Sequence, residues 1–187
     1  MDALIERMIR AAKLEAALYN EVEADATATS QALLVVVLAA LASGIGGGLG
    51  AVLLGRGPGA FVGGLIGGLI LAIIGWVIWA LITYWVGVNL FKGTATIGEM
   101  LRCIGFAQSP GVVNILRFIP ILGGLIGLVV AVWQLVAGVI AVREALDFDT
   151  GKAILTVVIG WVVMVVVMIL LAIPFALLGL GGAFVFG

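Results

Sequence analysis

The sequence predicts an all-α, polytopic membrane helical bundle of about five transmembrane helices, with an N-terminal amphipathic helix and a short, proline-broken third span. Three observations predict it. The first is composition: 64% of the 187 residues are hydrophobic and 10% are charged, with a mean hydropathy of +1.37. A soluble domain carries about 25% charged residues. This chain has too few polar side chains to cover a water-facing surface, so lipid is the solvent for most of it. The second is layout: the apolar residues lie in long runs, separated by short connectors rich in glycine, proline and charge. The third is a shortage of reactive groups. The net charge of −1 gives no electrostatic basis for nucleic acid. With no histidine and one cysteine, Cys103, an internal disulfide and a cysteine-based zinc site are excluded.

Residues 1–29 hold nine charges and no apolar core, which is unlike a signal peptide. A helix over residues 1–24 places Leu4, Ile5, Met8, Ile9, Ala12, Ala16 and Tyr19 on one arc. Leu14, Glu15 and Leu18 fall off that pattern. Such a helix lies in the headgroup plane or packs on protein. An acidic connector comes next, with Thr29 or Ser30 as N-cap of the first span. The cytoplasmic segment is thus 1–29 and the transmembrane domain 30–187.

Five spans are expected, over about 31–54, 60–90, 103–118, 121–142 and 153–174. The turn "GRGPG" joins the first two and makes them antiparallel neighbours. The second is longer than the hydrocarbon core and must tilt or protrude. Tyr84 and Trp85 near its end suit the interface, whereas Trp76, Trp79, Trp133 and Trp161 sit deeper as packing residues or lipid or pigment contacts. Thr96 and Glu99 have capping-box spacing, so a helix starts there. Glu99 and Arg102, three apart, read as a surface pair. Pro174 and the glycines at 179, 181 and 182 end or kink the last span.

Charge asymmetry separates four crossings from five. If 103–116 does not cross, six cations lie inside and three outside; if it crosses, Arg7, Arg10, Lys13, Lys92, Arg102, Arg143 and Lys152 lie inside, with Arg56 and Arg117 outside. Five crossings fit better, and a re-entrant pair of half-helices is the alternative. The expected location is an inner, bacterial cytoplasmic membrane, with the N-terminus cytoplasmic and the C-terminus outside.

Gly46, Gly48 and Ala51 have the spacing of a dinucleotide loop, but no strand precedes them and no acid lies about 20 residues on. In lipid, small residues serve instead to let helix backbones approach. Gly44, Gly46, Gly48 and Gly50 in the first span, with Gly63, Gly64, Gly67 and Gly68 in the second, are expected to form one close seam. No catalytic set, metal set or cofactor site is expected. Gln108, Ser109 and Asn114 flank the break at Pro110. They either form a small-molecule, lipid or ion site at a discontinuous helix or satisfy the backbone groups that Pro110 frees, and the second reading is favoured. Glu21, Glu23, Asp25, Arg143, Asp147, Asp149 and Lys152 share one side and are candidates for a partner-binding face or a solvated rim.

The stretch from Gly98 to Ile159 resembles the characteristic half of the Yip (Ypt-interacting protein) family. Gly105, Phe106 and Pro110 match its Gly-aromatic-x-x-x-Pro pattern. Pro120 matches the start of its proline-opened span, and the D-x-x-x-G-K-A turn at Asp147–Ala153 matches its charged turn. "ALYNEVEADATATSQALLVVVLAALASGIG" is similar to the lead-in of prokaryotic members, and the Asp-Leu-Tyr-Gly-Pro-type stretch of eukaryotic members is missing. The resemblance implies five spans, a cytoplasmic N-terminus and no catalytic residue. The expected role is a non-enzymatic accessory subunit that packs against other integral membrane proteins, for example in an energy-transducing or photosynthetic assembly. The alternatives are a membrane-shaping or trafficking-like protein and a small transporter or channel using the broken span.

Overall fold

The computed structural model describes residues 2–55 and 57–177. Every regular element among the described residues is a helix: α1 (Asp2–Ala12), α2 (Ala16–Ala24), α3 (Ala28–Leu53), α4 (Pro58–Phe91), α5 (Ile97–Phe106), a 3-10 helix (Ser109–Phe118), α6 (Leu122–Ala145) and α7 (Thr150–Leu177). Four of these are long and apolar enough to cross a membrane, over Ala28–Leu53, Phe61–Phe91, Leu122–Ala145 and Thr150–Leu170.

The expected single helix over 1–24 is two. Leu14 takes a positive φ of 63°. The Glu15 N–H then bonds the Arg10 carbonyl and the Leu14 N–H bonds that of Ala11, a Schellman closure with leucine where glycine is usual. Leu14, Glu15 and Leu18 depart from the α1 arc because they belong to the elbow and to α2. The cap expected at Thr29 or Ser30 is also displaced. Thr27 precedes α3, and the Thr29 and Ser30 hydroxyls donate back to the carbonyls of Ala26 and Thr27. The capping box forms as expected: Thr96 Oγ1 accepts from the Glu99 N–H, and Glu99 Oε2 accepts from the Thr96 N–H. At its other end α6 closes on Asp147 at φ 54°, with the Phe148 N–H bonded to the Arg143 carbonyl.

The third segment is α5 and then the 3-10 helix, with the break at Ala107–Gln108. Pro110 sits in the first turn of the 3-10 helix, where a missing N–H costs least. The segment runs beside α3 and in the same direction. Gly105 meets Ala32, Gly111 meets Ala39, Asn114 bonds Ser43, and the Arg117 carbonyl lies against Gly50. From Ala32 to Gly50 the helix rises ~27 Å, close to the ~30 Å of a hydrocarbon core. A re-entrant pair of half-helices would double back along α3; this segment does not.

The bundle thus holds the four long apolar helices and, alongside α3, the α5/3-10 segment as its third traverse. α4 returns antiparallel to α3, with Leu65 against Gly44 and Phe61 against Gly48. α6 runs antiparallel to the third traverse, Gln134 lying at Gln108 and Gly127 at Arg117. Gly160 of α7 packs on Trp79 and Thr83 of α4, and Leu146 before α7 packs on Gly87 and Gly93. α7 continues through Pro174 to Leu177, beyond the expected limit of 174, and the glycines at 179, 181 and 182 lie outside the described residues. The densest core is at the end holding α1 and α2, where Leu18, Tyr19, Val22, Met100, Ile104, Phe106, Val142 and Leu146 are buried together. Along the rest of the bundle Leu71, Val158, Val162 and Met168 face outward, as residues solvated by lipid tails must.

Candidate functional site

The third traverse carries the polar residues that a membrane interior must account for. Ser109 is settled locally, its hydroxyl donating to the Phe106 carbonyl at 2.7 Å. This satisfies a carbonyl that the break leaves open. Asn114 reaches across to α3, Nδ2 donating to Ser43 Oγ at 3.1 Å, while its Oδ1 is buried without a partner among the described residues. Gly105 brings α5 onto Ala32 of α3, and Phe106 beside it is fully buried. These residues of the expected broken-helix pattern thus lie together at one interface.

Gln108 points elsewhere. Its Oε1 accepts from Gln134 Nε2 on α6 at 2.8 Å. Sequence reasoning passed over Gln134, although a lone amide in the otherwise apolar 121–142 run is a visible signal. Two clefts meet at this pair. One, of about 510 Å³, lies between α3 and α4 and is walled by Ala39, Ala40, Gly68, Ala72, Gly75 and Trp76. The other, of about 450 Å³, lies towards α6 and α7. Gln108, Gln134 and Trp79 line both. The Trp76 indole N–H is committed to the Leu101 carbonyl, and that of Trp133 to the Ala12 carbonyl at the end of α1.

The glycines do not form one seam. Gly44 and Gly48 take the α4 side chains Leu65 and Phe61, whereas Gly46 and Gly50 meet the backbone of the 3-10 helix. On α4, a Cβ added at Gly63, Gly64, Gly67 or Gly68 would meet nothing within 4 Å. Phe61 and Leu65 are the residues of this turn region that face α3; Gly68 lies on their side and lines the cleft towards α3, whereas Gly63, Gly64 and Gly67 are turned away from it.

Arg102 is not a surface partner of Glu99. It is buried and donates to the Val22 and Glu23 carbonyls and to Thr29 Oγ1. It closes the C-terminus of α2, whose last carbonyls lack helical partners. Glu99 is engaged in its capping box.

The charged candidates gather at the α1–α2 end, and most are engaged within the chain. Glu21 pairs with Arg7 and Arg10 at 2.9 and 2.7 Å, and Asp25 with Arg7 at 3.0 Å. Arg143 pairs with neighbouring Glu144, Asp147 accepts from Thr94, and Asp149 accepts from the Lys152 N–H. The Lys152 ammonium sits 5.7 Å from the Phe148 ring centroid. Among the described residues, no group of His, Cys, Asp or Glu is arranged to hold a metal ion.

Glu23 differs from these. Burial first, then the nearby carboxylates of Asp147, Glu99 and Glu144, push its carboxyl up to about 7, against an opposing pull from Arg102. An acid raised in this way keeps its proton in the folded chain after the unfolded chain has released it. From the ordinary value of 4.5 up to about 7, the folded state binds more protons, so stability falls as pH rises through that window. Glu21 and Asp25 act oppositely. Arg10 holds Glu21 down, and the Thr27 hydroxyl, then Arg7, holds Asp25 down. Their stabilisation is present at neutral pH and is lost as pH falls through their folded values. Glu23→Gln is expected to flatten the decline between about pH 5 and pH 7, read from thermal melts in detergent across that range.

The family model for the Yip1 domain matches residues 16–184. The chain belongs to the Yip1 domain family. The match begins at α2 and leaves α1 outside it. No match was found among curated proteins or among solved structures. Family membership and the apolar helices together make this an integral membrane protein with several passes.

Proposed function

We propose that this Yip1-domain chain is a non-enzymatic accessory subunit that packs against other integral membrane proteins. The observation that carries the reading is the uncovered glycine face of α4. Gly63, Gly64 and Gly67 leave open space beside exposed Val62, Ile66 and Ile70. Lipid gives helices little hydrophobic reason to associate, so a face that lets another backbone come close is a preferred contact for a transmembrane helix. The orientation follows from charge. Arg7, Arg10, Lys13, Lys92, Arg102, Arg143 and Lys152 gather at one end, which the positive-inside tendency assigns to the cytoplasm.

The test compares the wild type with Gly64→Leu/Gly67→Leu after gentle solubilisation. A Cβ at either position meets nothing within 4 Å and the glycines border open space, so the melting temperature should hold while a co-purifying transmembrane partner is lost. Gly124→Leu, equally open on α6, is the control that should keep the partner. A wild type that runs as a lone monomer, or a partner retained by both variants, ends the proposal.

A membrane-shaping role is the second reading, and α1 favours it. Ile5 and Ile9 are 55% and 50% exposed, next to Arg10 and Lys13, on a helix pinned to the bundle by Arg7. Vesicles deformed by the reconstituted wild type and not by Ile5→Ser/Ile9→Ser would select this reading over the first.

A further inference from the structure

The amide pair Gln108–Gln134 is incompletely satisfied at a depth where water is scarce. Its neighbours on α3 are Val36, Ala39 and Ala40, in the middle third of that helix. Pairing two carboxamides consumes one acceptor and one donor. Whichever way each amide is turned, donors and an acceptor are left over. Gln134 Nε2 spends its hydrogens on the side-chain and main-chain oxygens of Gln108. Among the described residues, Gln108 Nε2, Gln134 Oε1 and the Trp79 indole N–H have no hydrogen-bond partner, and all three side chains line both clefts. An amide group left unpaired in hydrocarbon costs several kcal/mol. The residue set therefore calls for a polar guest.

The surroundings restrict that guest. Neither cleft is lined by a charged residue, so a permanently ionised group would be stranded. The walls are otherwise apolar and small on one side, with Ala39, Ala40, Gly68, Ala72 and Gly75, and aromatic on the other, with Trp76 and Trp79. Each cleft, at about 510 and about 450 Å³, is within the size range of small-molecule sites. A hydroxyl is the simplest complement, because it donates to one amide oxygen and accepts from an N–H; a carbonyl oxygen accepts from both N–H groups.

We propose that the two clefts joined at Gln108, Gln134 and Trp79 bind an uncharged amphiphile. Its hydroxyl or carbonyl oxygen lies against the amide pair, and its apolar skeleton lies along the small-residue wall between α3 and α4. This site is separate from the outward glycine face and does not depend on a protein partner.

The experiment uses the full chain reconstituted in lipid nanodiscs with a trace of a long-chain alcohol carrying a diazirine. After photolysis, labelled peptides are mapped by mass spectrometry. Label is expected on cleft residues such as Ala40, Ala72 and Ala107 above that on outward Leu71. Gln108→Leu/Gln134→Leu replaces the pair with apolar side chains of similar size and should cut cleft labelling about tenfold, the worth of one to two hydrogen bonds. Gly75→Leu is a second variant: its Cβ meets nothing within 4 Å and the rest of its side chain extends from the cleft wall, so it should displace the label without unfolding the chain. Leu71 should stay labelled throughout. Cleft labelling no higher than that of Leu71, or undiminished in both variants, overturns the proposal and leaves water as the guest of the amides.

Discussion

Gly46→Ala is expected to destabilise the bundle by about 3 kcal/mol, the upper range for overpacking, while Gly47→Ala, one residue on, costs nothing. A Cβ at Gly46 runs into the carbonyl oxygens of Asn114 and Ile115, with Ile115 O at 2.8 Å. The obstacle is main chain, which has no rotamer to yield. Relief requires the 3-10 helix to move away from α3, and with it the Asn114–Ser43 bond and the packing of Gly50 on Arg117. At Gly47 a Cβ meets nothing within 4 Å. There alanine gains ~0.5–1 kcal/mol from helix propensity alone. Both substitutions add one methyl group to neighbouring positions of one helix, so lipid partitioning is matched. Unfolding in a graded detergent mixture, monitored by circular dichroism, measures the difference. Equal stability of the two variants would mean that the third traverse does not rest on α3.

Arg102→Leu is expected to cost about 3 kcal/mol as well, in the range for a broken buried charged network. The guanidinium holds the Val22 and Glu23 carbonyls and Thr29 Oγ1 from a helix some 80 residues distant in sequence. Leucine leaves those acceptors without donors inside the core. The loss should be local: amide hydrogen exchange should accelerate over Leu18–Val22 first, while α4 and α7 keep their protection. Arg102→Lys should not rescue, since one ammonium on a shorter reach replaces a planar fork. Arg102 also pulls the Glu23 carboxyl downward, so its removal should raise that group further.

Legibility in the sequence depended on range. The four long apolar helices and the capping box at Thr96 are local patterns, and each is present. The sorting of the cationic connectors to one side is what the positive-inside tendency expects, and as local charged runs they were legible. Arg102 was not, because its partners lie on α2 and only the packed structure brings α2 to α5. A spacing of three from Glu99 suggested the wrong neighbour. The α1–α2 elbow has no glycine to mark it, since Leu14 takes the left-handed conformation itself. The glycine seam failed for a different reason. Spacing places the glycines of α3 and α4 on stripes but does not say towards which neighbour each stripe is turned. Phe61 and Leu65 occupy the α3-facing side of α4, and of the glycines beside them Gly63, Gly64 and Gly67 look outward while Gly68 faces the cleft. A three-residue period was available in the third traverse, where Gln108, Gly111, Asn114 and Arg117 recur at even intervals. That is the signature of a 3-10 helix and not of an α-helix.

This even interval makes the third traverse intolerant of length change. Three residues per turn means that Gln108, Gly111, Asn114 and Arg117 stand in single file without the angular drift of an α-helix. Each has its own neighbour: Gln108 the Gln134 amide of α6, Gly111 the Ala39 methyl, Asn114 the Ser43 hydroxyl, and Arg117 the Gly50 backbone through its carbonyl and Gly127 of α6 through its side chain. One residue inserted between Gly111 and Asn114 would turn everything beyond it by ~120° and push it ~2 Å along the file. The later residues would then face the wrong neighbours together. A substitution at exposed Val113 should therefore be borne where an inserted residue is not.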